Sequence, residues 1–511
     1  MKTIKRYGNI IVGACILIEL LVWPSLNNLA GCLMTIFSWL IFSKIGLNEQ
    51  VAREHTFAWL VFLSMSMYRI LPLMATMLEG NSIGYNFVLP FETYCGETLL
   101  YLVSALAFYL AINYKSPLLI FKRILFKCGF YSKVSDKILW SIGLLGFCFN
   151  LYVWGSNIET GDVIGKTLFG FTFLRLAPLL LFFPVLYKED YNRVLVYDFK
   201  CLCYLILLIV VSFATNSREA ILEPIGTFVL LFLLSYINCE KKIRHTINKR
   251  YILYGILLII FVLPIINNIS LAMLYNRAFR DDVSRTELFS KTMDTFLNKE
   301  KMETLYLLKE KNEEKETILS LKNTKKWTEV YVSNFALNRY CNLKVTDNTL
   351  YHAQKVGFSN DLMYKDFWIE IVALLPSPIL DFLGFHYDKD ERYSRGDKLK
   401  ALSENRHPFS SYLVTSHLAD GLLTFGYWYF PIEFLLFFIR FLFLDTFLLK
   451  YEGRVYYSIL GLITIFSFLA MFRNAGGCCD SLPYLLRGYW QDVILFIIAF
   501  SLVKKIVVRL L

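Results

Sequence analysis

The chain has 511 residues, 56% of them hydrophobic with 44 Phe and 32 Tyr, and its 53 Lys and Arg against 42 Asp and Glu give a formal charge of +11. That is too apolar for an ordinary soluble domain and marks an integral membrane protein. The basic residues gather beside apolar runs, so the charge reads as a membrane-topology signal and argues against nucleic-acid binding.

A membrane-spanning helix needs about 20 mostly apolar residues. In chain order the candidate spans are 10–23, 29–42, 56–77, 98–112, 138–154, 167–187, 201–214, 221–237 and 251–269. A polar stretch from Tyr275 to Ser410 follows, and then 425–443, 455–472 and 490–503. The expected fold is an all-α polytopic membrane protein of about 12 spans, with one large, mostly helical external loop between spans nine and ten. It divides into 1–274, 275–424 and 425–511. The first apolar run lacks a small-residue cleavage site and reads as a retained helix. Trp23, Trp140, Trp154, Trp428 and Trp490 fall at span ends, as an interfacial aromatic belt requires.

Loop charges give the sidedness. One set of faces carries twenty-four Lys and Arg, and the other carries only Lys166, Arg218, Arg473 and Arg487. Cations are retained on the cytoplasmic side, so both termini lie inside and the long polar segment outside. Cys95, Cys341, Cys478 and Cys479 then face outward, and the adjacent pair would be too strained to define a disulfide framework.

Within the external segment, 275–285 continues the ninth helix and carries Arg277 and Arg280 at i, i+3 with Arg285 nearby. Residues 286–327 read as a solvated amphipathic helix serving as scaffold. Residues 367–385 are apolar but broken by Pro376 and Pro378, so they lie at the interface, re-enter the membrane, or form a buried core helix.

An ionisable group inside a span is costly and marks function by default. Arg175 falls near mid-membrane, Arg69 nearer the outer end of the third span, and Arg440 near the inner end, from which it would snorkel to the cytoplasm. The alternative for Arg69 and Arg175 is an ion pair, with Glu19 and Glu433 as available partners. Arg69, Arg175, Arg218, Arg277, Arg280, Arg473 and Arg487 together would form a cationic cavity suited to a lipid diphosphate, because guanidinium matches phosphate oxygens bidentately. Candidates for a general base are His407, His417 and Asp420, all just before the tenth span. Asp388, Lys389 and Asp390 form a D-x-D pattern that reads as a solvated charge run. No zinc-ligand spacing, phosphate-cradling glycine loop or nucleophile elbow is present.

Four passages carry a resemblance. Residues 215–222 (TNSREAIL) resemble a Ser-Arg element after a span, and 367–378 (FWIEIVALLPSP) an apolar, proline-ended piece of a large external loop. Residues 420–426 (DGLLTFG) resemble an acidic residue followed by Phe-Gly at the next span, and 473–488, ending LLRG, an arginine-bearing loop before the last span. In this order and sidedness the chain resembles the O-antigen polymerase (Wzy) family and, more distantly, the O-antigen ligases, although that family more often has Glu where Asp420 stands. The ligase pattern of His followed closely by Asn and Leu is absent.

The resemblance implies a cofactor-free glycosyltransferase of a bacterial inner membrane. It would transfer a nascent glycan from polyprenyl diphosphate to a hydroxyl of an incoming lipid-linked repeat unit, alongside a flippase and a chain-length regulator. Arg218 and Arg473 would stabilise the departing diphosphate, Arg487 and Arg277 would hold the second lipid or the glycan, and Asp420 or His417 would take the hydroxyl proton. A lipid-linked oligosaccharide flippase is the main alternative. It needs no large external segment and would show two similar halves, which this sequence lacks.

Overall fold

The computed structural model describes residues 1–114, 118–132, 134–155, 163–188, 194–214, 218–239, 268–269, 271–273, 275–276, 283, 285–308, 327–375, 377–385, 393–409 and 411–509. The expected ninth span, apart from its last two residues, lies outside these, as do Arg277, Arg280, Pro376 and Asp388–Asp390. The fold is helical, and a two-stranded ribbon is the sheet structure among the described residues. Among the described residues, six helices are long and apolar enough to cross a membrane: Leu26–Gly46, Thr56–Leu78, Pro90–Asn113, Asp136–Val153, Gly165–Phe182 and Ala220–Asn238. The chain divides into two compact units, each assembled from three segments.

The first unit comprises Met1–Ile124, Leu319–Leu448 and Phe468–Gln491. It opens with α1 (Lys2–Val22), α2 (Leu26–Ile41), α3 (Thr56–Leu78) and α4 (Pro90–Asn113). Helix α2 is started by Ser25, whose side chain accepts from the Asn28 amide, and α4 by Pro90 in its first turn, where the missing N–H has no helical partner to lose. Helix α3 is the most enclosed of the six long apolar helices, and Phe62 stacks on Phe108 of α4 with ring centroids 4.4 Å apart.

In the second unit lie α5 (Asp136–Gly155), α6 (Phe199–Ala214) and α7 (Arg218–Asn238). The expected sixth span is largely a 3₁₀ helix over Thr172–Phe182 with Pro178 inside it. Proline removes an amide donor and forbids the regular α ladder at that turn, and Gly143 of α5 gives the ring room. Helix Arg285–Leu297 is amphipathic, with Leu288 and Thr292 buried and Glu287 paired to Lys291 at 3.1 Å.

Returning to the first unit, the long polar segment supplies α8 (Lys344–Val356), α9 (Asp361–Val372), α10 (Ser377–Phe382) and α11 (Arg395–Glu404). It leads into α12 (His417–Phe425) and α13 (Tyr429–Leu444). Gly96 of α4 packs on Leu418 of α12, and further along Phe108 meets Phe441 at 5.2 Å. The start of α12 therefore sits at the second turn of α4, and the chain from there to the end of α13 advances along α4 in the same direction.

Strands β1 (Leu448–Tyr451) and β2 (Arg454–Tyr457) follow, and the last long helix is α14 (Tyr489–Arg509). The expected span over 455–472 is not one helix. Glu452 and Gly453 take positive φ values of 51° and 73°, the two-residue turn of a tight hairpin, and two short helices, Ile459–Ile463 and Ile465–Ala470, succeed β2.

The helices of this polar segment bury polar groups. His352 of α8 lies against Trp327 with centroids 4.9 Å apart, and its Nδ1 is 2.6 Å from Ser403 Oγ. Burial, reinforced by Lys355 and Lys400, holds this imidazole down to about 4. Its value in the folded chain is thus below the unfolded one, so as pH falls below about 6.5 the unfolded chain takes a proton that the folded chain refuses. Stability is expected to drop between about pH 6.5 and 4, and His352→Gln is expected to flatten part of that drop in thermal unfolding of the purified protein. An unchanged pH profile would refute the assignment.

Candidate functional site

Helix α12 begins at Ser416, whose Oγ accepts from the Ala419 amide at 3.1 Å and lies 2.9 Å from Thr349 Oγ1 of α8. That cap fixes Asp420 in the first turn, fully buried. One carboxylate oxygen accepts from Arg395 Nε at 2.7 Å. The other accepts from the Cys478 amide at 2.9 Å and its thiol at 3.1 Å. Gly477, at φ +78°, brings that amide in, and a Cβ there would lie 2.9 Å from the same oxygen.

Arg395 is the hub of this network. Its first-turn position in α11 is set by a capping box, in which Ser394 accepts from the Asp397 amide and the Asp397 carboxylate accepts from the Ser394 amide. Besides Asp420 it donates to Thr424 Oγ1 at 2.6 Å, one turn along α12, to Asp366 Oδ2 at 3.2 Å and to the Met363 carbonyl at 3.4 Å. Lys398 pairs with the other Asp366 oxygen. One turn beyond Asp366, burial pushes the Glu370 carboxyl above its ordinary value, with Arg395 pulling it back. Beside Asp366 a cavity of about 510 Å³ opens, lined by Met363, Lys398, Asn405, Arg406 and His407. The Asp366 carboxylate thus joins the cavity to the buried Asp420 pair.

A second buried network lies in the same unit. Arg69 of α3 donates to Glu97 Oε2 of α4 at 2.6 Å and to the Met65 carbonyl at 2.8 Å. Glu97 Oε1 accepts from Thr346 Oγ1 at 2.6 Å and Asn474 Nδ2 at 2.9 Å. The guanidinium also lies 5.2 Å from the Phe472 ring centroid. Arg69 is therefore in an ion pair, and its partner is neither Glu19 nor Glu433, the two acids the sequence offered. Glu19 instead accepts from the Ile83 amide at 2.9 Å.

His417 is one turn from Asp420 but faces another way. Its ring stacks on Phe472 at 5.0 Å, Nδ1 stands 3.8 Å from Glu433 Oε1, and neither nitrogen has a hydrogen-bond partner. Burial first, then Arg440 and Arg69, push it down to about 3, leaving a neutral imidazole at ordinary pH. Arg440 does not snorkel: it is 2% exposed and donates to Ser481 Oγ at 3.2 Å and the Met471 carbonyl at 3.4 Å.

No family model, curated protein or solved structure matches the chain. The site is accordingly described by its own chemistry.

Asp420, His417, Arg69, Arg473 and Arg487 belong to the first unit. Arg473 is half-buried and donates to the Ala470 carbonyl at 3.2 Å; Arg487 is exposed and donates to Gln491 Oε1 at 3.3 Å and the Leu374 carbonyl at 3.4 Å. Arg175 and Arg218 belong to the second unit. Arg175 pairs with Glu223 and donates to Asn150 Oδ1 at 3.0 Å, whereas Arg218 opens α7 with its side chain outside the described residues, as are Arg277 and Arg280 entirely.

Sequence reasoning missed Arg395, Asp366, Glu97 and Cys478. The available signal for Arg395 was the Ser394–Asp397 spacing, which starts a helix where the segment reads only as polar.

Proposed function

We propose that the chain polymerises lipid-linked oligosaccharide repeat units at the external face of a bacterial inner membrane. The reading rests on the resemblance, and one observation carries it beyond sequence: three of the four resembling passages meet around Asp420. Phe367 of the first touches Phe425 of the second, their ring centroids 4.9 Å apart, and Cys478 of the third donates twice to Asp420. These residues lie far apart in the chain, so their convergence comes from tertiary folding.

In the proposed reaction an acceptor hydroxyl attacks the anomeric carbon of the donor glycan. The bond to the polyprenyl diphosphate breaks, and the leaving oxygen keeps the electron pair. Arg218 and Arg473 are proposed to stabilise that charge, with Arg487 and Arg277 holding the second lipid or the glycan. Asp420 already accepts three hydrogen bonds of the roughly four a carboxylate can take. Both Asp420 and the neutral His417, the other candidate base, are wholly enclosed, so the proposed proton transfer requires local opening toward the cavity at Asp366 to admit the acceptor hydroxyl. Arg395 acts through Asp420 by fixing its orientation, and the cavity at Asp366 would seat the hydroxyl-rich acceptor. The finer topology, with twelve spans, both termini inside and a large external loop, belongs to the same proposal.

Arg218→Ala is expected to abolish long-chain polysaccharide while the protein still inserts in the membrane. A chain-length ladder identical to wild type on a gel would remove Arg218 from the proposal. A genetic comparison separates the classes: after loss of the gene a single repeat unit still reaches the surface for a polymerase, and none does for a flippase.

A further inference from the structure

We infer that the apolar outer face of α9 and α10 docks on bilayer lipid at the membrane face where α4 and α12 begin, as an interfacial pair of helices. Helix α9 has an enclosed apolar side and an exposed side on which apolar residues stand with Asp361 and Lys365. Met363 and Phe367, four apart, are 1% and 3% exposed and pack inward, Phe367 on Phe425. Leu362, Trp368 and Ile369 are 60%, 48% and 46% exposed, and the patch continues in Phe382, Leu383 and Phe385 at 88%, 52% and 53%. The alternative of a buried core helix over 367–385 does not fit these exposures. Exposed apolar side chains grouped in this way mark an interaction site.

The occupant follows from what holds the inner face. Phe425 ends α12 and immediately precedes α13, whose approach residues Tyr427 and Trp428 are exposed aromatics. Leu418, at the start of α12, packs on Gly96 in the second turn of α4, one of the helices long enough to cross a membrane. At the far end of α9 the Leu374 carbonyl accepts from Arg487 at 3.4 Å, and Arg487 stands two residues before α14. The inner face of α9 is therefore held at Phe425, where the chain enters α13, and its far end at Arg487, just before α14, the two apolar stretches that the sequence reading expects to cross the bilayer. Exposed Tyr and Trp at this depth match an interfacial girdle, and a Lys such as Lys365 on the exposed side of α9 suits lipid phosphates. This inference is independent of the proposed reaction.

The test places p-benzoylphenylalanine at Phe382 and, separately, at Trp368, in the full chain reconstituted into vesicles of phosphatidylethanolamine and phosphatidylglycerol. Leu106 on the outside of α4 serves as the lipid-facing reference and Glu404 of α11 as the water-facing one. After illumination, intact-mass measurement is expected to show a shift of one phospholipid at Phe382 and Trp368, at a yield comparable to Leu106 and well above Glu404. Yields at both positions no higher than at Glu404 overturn the inference. So does an adduct to a second copy of the chain in place of lipid, which would make the patch a protein interface.

Discussion

Arg395→Met is expected to destabilise the protein by about 3–5 kcal/mol, because it strands Asp420 as a buried carboxylate without its cation. Asp420 is 0% exposed, so water cannot replace the guanidinium. The same change releases Thr424 and one oxygen of Asp366, which sit at 2.6 and 3.2 Å from Arg395. Adding Asp420→Asn should restore much of the loss, since no unpaired charge then remains, while polymer synthesis stays absent. Thermal unfolding of the detergent-purified variants measures the first effect and the polysaccharide ladder the second. Equal stability of the single and double variants would show that the pair does not hold this part of the fold.

A second large effect is expected at Arg69. Both Arg69 and Glu97 are almost wholly enclosed, at 1% and 0% side-chain exposure. Arg69→Met should cost about 3–5 kcal/mol, since it leaves Glu97 charged and enclosed. Glu97→Gln keeps an acceptor for Thr346 and Asn474 and should cost less. The two changes together should show a coupling of about 0.5–3 kcal/mol in a double-mutant cycle. This separates two roles for Arg69. An ion pair that holds α3 to α4 loses stability and activity together, whereas an arginine that binds substrate loses activity with stability intact.

The helical membrane fold was legible because apolar runs of span length are a strong signal, and the tight turn at Glu452–Gly453 was the clue to the hairpin that the apolar count overrode. Pro178 likewise announced that 167–187 would not be a regular helix. The site was only half legible. Asp420 and His417 stood out by position, but Arg395 lay in a stretch that reads only as polar and Asp366 one residue before the apolar segment 367–385. What buries Arg395 is a set of partners 25 to 32 residues away, and periodicity sees only neighbours within a few turns. Glu97 was missed for a simpler reason: it falls one residue before the expected start of the fourth span at 98, so it was not weighed as an acid inside the bilayer. Direction, too, is set in three dimensions. His417 and Asp420 share one turn of α12, yet one faces Phe472 and Glu433 and the other Arg395 and Cys478.

We propose that this chain joins lipid-linked repeat units through the site at Asp420. The purified protein in vesicles, supplied with polyprenyl-diphosphate-linked repeat units as sole substrate, tests it directly by separation of the lipid-linked products by size. The account predicts a ladder rising by one repeat unit per step for the wild-type chain and single units only for Asp420→Asn. Single units from an inserted, folded wild-type chain, or a ladder undiminished in Asp420→Asn, would contradict it.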